Sequence, residues 1–373
     1  AVSRGRNRAG RARCPPAHDR VVFSAECPEH AWTPADLGLP VDWSAYGFLA
    51  FELRASFSQW FELRVHVGGD VRRLRFHPWH GVWVRASVPL DALRHRARAG
   101  HDMASMGNRR RDTYWYGHIG GHGPLDQVDI VSLRMPDPIG EATLDIRSVT
   151  LSEDDPEDAA LEAGPFVDEF GQWMPAESSR SVTSLEELRA KWHREDADLQ
   201  PDDFSYSPYG GCLERQAAAT GFFRVERIDG RWWFVDPDGC LFFSTGVDCV
   251  TPWMSTSVRG REDAFAALPP EDLRPLSRSG GRPRGAAHYA WNVARRHGAD
   301  WQAGWMDMAI RRMDAWGLNT IANWSDPALF DLGRKAYVVT TRGWGIGEGP
   351  MGLADVYAGD FEEQVDKAAA EQC

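Results

Sequence analysis

The feature that most constrains this chain is a change of hydrophobic period part-way along it. Six segments between residues 46 and 153 alternate apolar and polar residues: "YGFLAFELRAS" (46–56), "WFELRVHV" (60–67), "VRRLRFHP" (71–78), "GVWVRASVPL" (81–90), "LDQVDIVSLRM" (125–135) and "ATLDIRSVTLSE" (142–153). Period two sends one face of a strand to a core and the other to water. Such strands, separated by turn signals like "VGGD" (67–70), predict a β-sandwich over residues 18–152. The stretch 94–123, rich in Arg, His and Gly, breaks the alternation and reads as a long irregular loop.

From residue 221 the pattern differs. "RVERI" and "RWWFV" flank Asp229-Gly230, a hairpin signal, and "DPDG" (236–239) makes a second turn. "LFFSTGVDCV" (241–250) is almost continuously apolar, as a strand buried on both faces would be. Within 300–316, Met306, Ala309, Ile310 and Met313 fall on one helix face, and Gly317 stands where such a helix would end. "LNTIANW" (318–324) and "AYVVTTRGW" (336–344) read as buried strands, with short helix "PALFDLGRK" (327–335) between them and a helix over 361–373. Strand and helix in alternation predict a parallel α/β sheet. Between the two regimes, 153–220 reads as a linker. It opens on the acidic "EDDPEDAALEAGP" and carries one helix, signalled by the Ser184/Glu187 capping box. Residues 1–17 are Arg-rich, lack the apolar core of a signal peptide and read as a disordered tail.

Composition removes several functions. A net charge of -12 disfavours nucleic acid as a partner, since a polyanion needs a basic face. No apolar run is long enough to span a membrane. The six cysteines form no C-x-x-C, so zinc ribbons and thioredoxin-type sites are disfavoured; Cys240 and Cys249 read as small core residues. No G-x-G-x-x-G follows a strand, which disfavours a dinucleotide. His77, His80, His118 and His122 read as solvated loop residues, and neither a metal nor a cofactor is expected. Seventeen tryptophans point the other way: a flat indole face suits the C–H face of a pyranose, although a large aromatic core would use them too.

Three stretches, "FVDEFGQW" (166–173), "GFFRVERIDGRWWFVDPDGCLFFSTGVDCV" (221–250) and "MDAWGLNTIANWSD" (313–326), resemble the β-agarases of glycoside hydrolase family 50. That family belongs to a clan of retaining (β/α)8-barrel hydrolases. The resemblance covers about residues 165–373 and implies a truncated (β/α)8 TIM barrel over 221–373, holding the first three strand/helix units. It also implies a jelly-roll-like, carbohydrate-binding-module-like role for 18–152, a polysaccharide or oligosaccharide substrate, and a secreted or periplasmic protein. A non-catalytic carbohydrate-binding protein, or another hydrolase of the clan such as a β-galactosidase or mannanase, stands as the alternative.

Barrel enzymes act at the C-terminal ends of their strands. On the implied register those ends carry Asp248, Asn323, Trp324, Arg342 and Trp344. Asp248 has two open readings, a bond to sugar hydroxyls or one to local backbone or a neighbouring Arg. Asn323 is expected to bond a sugar; Trp324 either stacks on one or packs under loops. Arg342 would tune the catalytic carboxylates or make a surface salt bridge, and Trp344 would line a subsite. Asp326 reads as the N-cap before Pro327, and Glu348 lies in a glycine-rich loop too loose to hold a carboxylate in place. Retaining glycosidases need two carboxyl groups about 5–5.5 Å apart. The clan's first one follows an Asn, and this sequence contains no Asn-Glu pair. No catalytic residue is therefore assigned, and the chain reads as a fragment, inactive on its own.

Overall fold

The computed structural model describes residues 20–95, 108–110, 113–175, 181–258, 260–274, 285–339 and 356–370. These divide into two compact units between Ala163 and Gly164.

The first unit is built from the period-two segments. Its strands are β1 (Arg20–Phe23), β2 (Glu29–Trp32), β3 (Phe48–Ala55), β4 (Phe61–Val67), β5 (Asp70–Pro78) and β6 (Val84–Pro89), then short helix α1 (Asp91–Arg94), β7 (Asn108–Arg110), β8 (Tyr114–Gly120), β9 (Val128–Arg134), β10 (Ala142–Ser152) and β11 (Ala159–Ala160). They form two antiparallel sheets, β1-β10-β3-β6-β11 and β2-β9-β4-β5-β8-β7. The inward residues of the two sheets meet: Phe51 of β3 lies 6.2 Å from Phe76 of β5, and Phe23 of β1 lies 6.5 Å from Phe61 of β4, ring centre to ring centre. Leu49, Leu53, Leu63 and Leu74 fill the space between them, fully buried.

Three expectations for this unit are corrected. The stretch 94–123 is not irregular throughout, because Tyr114–Gly120 is a strand paired with β5. Its inward residues are Tyr114 and Tyr116, and Tyr114 stacks on Phe76 at 4.8 Å. The acidic segment after 153 is not a free linker either. Ala159–Ala160 extends the five-stranded sheet, and Ser87 donates to Asp155 at 2.6 Å and to Asp158 at 2.9 Å. The acids serve there as acceptors for a buried serine. His77 and His80 are half-buried rather than solvated; burial holds both below the ordinary histidine pKa, and Trp115 donates its indole N–H to His77.

The second unit opens with α2 (Leu185–Asp198), capped by Ser184 accepting from the Glu187 N–H at 3.1 Å. A four-stranded antiparallel sheet follows, in the order β12 (Cys212–Gln216), β15 (Cys240–Phe242), β14 (Arg231–Val235), β13 (Arg224–Ile228). Asp229 and Gly230 both have positive φ, 51° and 81°, as a type I′ hairpin turn requires. Three parallel two-residue strands come next: β16 (Gly246–Val247), β17 (Thr320–Ile321) and β18 (Ala336–Tyr337). Helices α3 (His288–His297) and α4 (Trp301–Ala315) connect β16 to β17, and α5 (Phe361–Ala370) follows β18. Trp305, Met308, Ile310 and Met313 of α4 pack with Val293 of α3 beneath Ile321.

Here too the sequence reading needs revision. "LFFSTGVDCV" is not one buried strand. Its first residues end the antiparallel sheet and Gly246–Val247 begins the parallel one, with the polar Ser244-Thr245 at the break. Phe243 is 75% exposed and Val247 40% exposed, so the run is not covered on both faces. Cys249 is exposed rather than core, whereas Cys240 is buried. Helix α3 escaped the sequence reading. Trp232 is largely exposed and Trp233 half-buried, on opposite sides of their strand. Among the described residues no helix is long and apolar enough to cross a membrane.

Candidate functional site at the ends of the parallel strands

The parallel register sets Gly246 beside Thr320 and Val247 beside Ile321. Beyond the regular ladder the two segments stay joined. The Ala322 N–H donates to Val247 O at 3.0 Å, Cys249 N–H to Asn323 O at 2.8 Å, and Asp326 N–H to Val250 O at 2.9 Å. Ser325 completes the seam, accepting from Val250 N–H at 3.1 Å and donating to Ala322 O at 2.7 Å. Asp248 on one segment and Asn323 and Trp324 on the other are therefore brought together at the C-terminal ends of β16 and β17. The seam continues to β18, where Val338 N–H donates to Ile321 O at 2.9 Å.

Two non-glycine residues at these ends have left-handed backbone, Cys249 at φ 56° and Trp324 at φ 57°. A bulky residue there is strained, and such strain gathers at binding and catalytic sites. Asp248 is exposed, and its carboxylate bonds no described residue. Trp324 is 60% exposed. Asp326 caps the 3-10 turn Pro327–Leu329, accepting from Ala328 N–H at 3.1 Å, as its Asp-Pro order predicts. Arg342, Trp344 and Glu348 lie outside the described residues. Among the described residues no three His, Cys, Asp or Glu side chains gather to hold a metal ion.

A residue that sequence reasoning missed holds this site from behind. Asn319, 2% exposed, takes the Thr245 N–H on Oδ1 at 2.8 Å and the Thr320 hydroxyl at 2.9 Å. Its Nδ2 donates to Gly210 O at 2.9 Å and Phe243 O at 3.0 Å. It thus fixes the start of β16 to β17 and both to the 205–211 loop. Gly210 allows the approach: a Cβ there would lie 2.6 Å from Cβ of Asn319.

The exposure and φ of Trp324 make a packing role testable by substitution. Trp324→Gly removes little buried surface and relieves the backbone, so unfolding free energy is expected to hold or to rise by up to about 1 kcal/mol. A fall of more than that in urea denaturation would make Trp324 a packing residue.

The class of fold comes first from solved structures. The chain resembles the crystal structure of an agarase, AgWH50C, with a TM-score of 0.54 and 23% identity over 88% of this chain and 54% of that one. It resembles an exo-β-agarase structure similarly, with a TM-score of 0.53 and 23% identity over 91% and 56%. At that identity the likeness defines the fold alone. The sequence likeness is more specific. β-Agarase B of Vibrio sp. (strain JT0107) is 31% identical over 267 residues, 61% of this chain and 27% of the relative. β-Agarase A of the same strain is 32% identical over 194 residues, 44% of this chain and 19% of the relative. The chain is thus related to the family 50 β-agarases read from its motifs. The matched region spans about a quarter or less of the curated relatives, and about half of the solved ones. No protein-family model matches the chain.

Proposed function

We propose that the chain is part of a retaining glycoside hydrolase cleaving β-galactosidic bonds in agarose or a related galactan. The observation that carries this is the parallel order of β16, β17 and β18, with Asp248, Asn323 and Trp324 gathered at ends that point one way. On this reading 221–373 contributes the first three strand/helix units of a (β/α)8 barrel, and Tyr337, Val338 and Val339, each about half exposed, lie where a further strand would cover them. The two-sheet first unit is jelly-roll-like and serves as a carbohydrate-binding module.

The roles of this chain's own residues follow from their chemistry. Asp248 and Asn323 hydrogen-bond sugar hydroxyls, Trp324 stacks beneath a ring, and Arg342 and Trp344 complete the subsites. The acid/base and nucleophile are two glutamates supplied by strands outside this sequence. Cys27 is disulfide-bonded, which supports folding in an oxidising compartment and hence a secreted or periplasmic protein.

The test is incubation of the 373-residue chain with agarose and with an aryl β-galactoside. Reducing ends and released aryl alcohol are expected to stay at the blank. Turnover above it would show that the chain carries its own catalytic pair and would overturn this division of labour.

A further inference from the structure

The outward face of the six-stranded sheet is electrostatically divided. On its β9/β4 side the charges are paired. Glu62 binds Arg64 and lies 3.9 Å from Arg134, while Glu29 lies 3.4 Å from Arg64 and accepts from Ser132 at 2.7 Å. On its β5/β8 side they are not. Arg73 and Arg75 alternate outward along β5, about 7 Å apart, and neither has a carboxylate partner among the described residues. Among the described residues Arg73 makes one long bond, Nη2 to Ile119 O at 3.4 Å. The Nε of Arg75 is shut from solvent without any hydrogen-bond partner, and its guanidinium lies 4.2 Å from the Trp60 ring centre.

The neighbouring strand carries no side chain opposite these two groups. Opposite Arg73 and Arg75 on β8 stand Gly120 and Gly117. A Cβ at Gly120 would meet Nη2 of Arg73 at 2.8 Å, so the glycine lets that guanidinium lie across the strand. One step along, Trp115 pairs with His77 and is held by its hydrogen bond to that imidazole. The result is a patch of two guanidinium forks, without a carboxylate partner among the described residues, beside two glycines of β8 and with the indoles of Trp60 and Trp115 near them.

We infer that this patch binds a saccharide bearing an oxyanion substituent, a sulfate half-ester or a carboxylate. Guanidinium forks match both anions, and the indoles match the ring that carries them. A chain of net charge -12 repels polyanions in general, so attraction must come from this local patch. The inference rests on the saccharide reading above but concerns a different unit and a different substituent.

The test is affinity electrophoresis of the full chain in native gels holding a sulfated galactan, its desulfated counterpart, a polyuronate, or neutral agarose. Tighter binding of the sulfated polymer than of the desulfated one assigns the site to sulfate; tighter binding of the polyuronate than of agarose assigns it to carboxylate. In either case Arg73→Gln with Arg75→Gln should weaken binding tenfold or more, as should raising the salt, whereas Arg227→Gln in the second unit should not. Equal binding of anionic and neutral polymers, or an affinity untouched by the double substitution, would overturn the inference. Retention on neutral agarose in that event leaves the agarase-like reading standing; loss of retention on every galactan removes that reading as well.

Discussion

Asn319→Ala is expected to cost the second unit about 3–5 kcal/mol in urea unfolding. Alanine fills little of the space and makes none of the four hydrogen bonds. It leaves the Thr245 N–H and the carbonyls of Gly210 and Phe243 without their partner in a part-buried place. A buried donor or acceptor left unmade costs about 1–3 kcal/mol, and these three are part-buried, so the expected sum stays below three full penalties. The damage is directional as well. Thr245 immediately precedes Gly246, so a loosened Asn319 lets β16 drift from β17 and separates Asp248 from Asn323. Galactan binding at the strand ends should therefore fall even under conditions where the variant stays folded. A loss of under 1 kcal/mol would mean that water takes over these bonds and that Asn319 is not the tie between the two strands.

Glu195→Ala should have the second-largest effect, about 2 kcal/mol. Glu195 on α2 receives the Arg296 guanidinium at 2.7 Å and that of Arg312 at 2.5 Å, joining α2 to α3 and α4. Arg296 is nearly buried, so removal of its partner strands a charge. Asp196, 2.8 Å away, still serves Arg296, which is why the expected cost is below that of a fully orphaned buried ion. Burial pushes the Glu195 carboxyl upward, but the hydrogen bonds and charges of Arg296 and Arg312 outweigh it and hold the pKa below the usual glutamate value. Because the folded pKa is depressed, this stabilisation is present above the unfolded glutamate pKa and is lost as pH falls through the folded one. The difference between the parent and Glu195→Ala in unfolding free energy should thus be full at pH 7 and shrink below about pH 4. A difference that held constant into acid would show that the clamp acts through packing rather than charge.

The strands of the first unit were legible because each carries its own alternation, and the core reads it directly: Leu49, Phe51 and Leu53 turn inward from β3, and Leu74 and Phe76 from β5. β8 was not legible. Its inward tyrosines stand beside outward Trp115 and Gly117, which hides the period in a stretch already rich in Arg and His. The capping box of α2 and the Asp-Pro cap at Asp326 were readable as local chemistry. α3 lacked such a signal, since its first residue follows Ala287, which makes no side-chain cap. The parallel strands were placed by their apolar runs but read as too long. A strand of two residues continued by irregular hydrogen bonds has the same sequence pattern as a full strand. Asp248, Asn323 and Trp324 could be placed at the strand ends from their position after an apolar run. Asn319 could not, because the polar atom that ties two strands together looks, in sequence, like an interruption of one.

The central claim is that the ends of β16 and β17 recognise a galactan. It is tested most directly by the mobility of the chain in a native gel holding dissolved agarose, beside Asp248→Ala and Trp324→Gly. The account predicts that the parent is retarded relative to a gel without agarose and that both variants lose much of that retardation while remaining folded. Mobility that agarose leaves unchanged, or retardation that both variants keep in full, would contradict it.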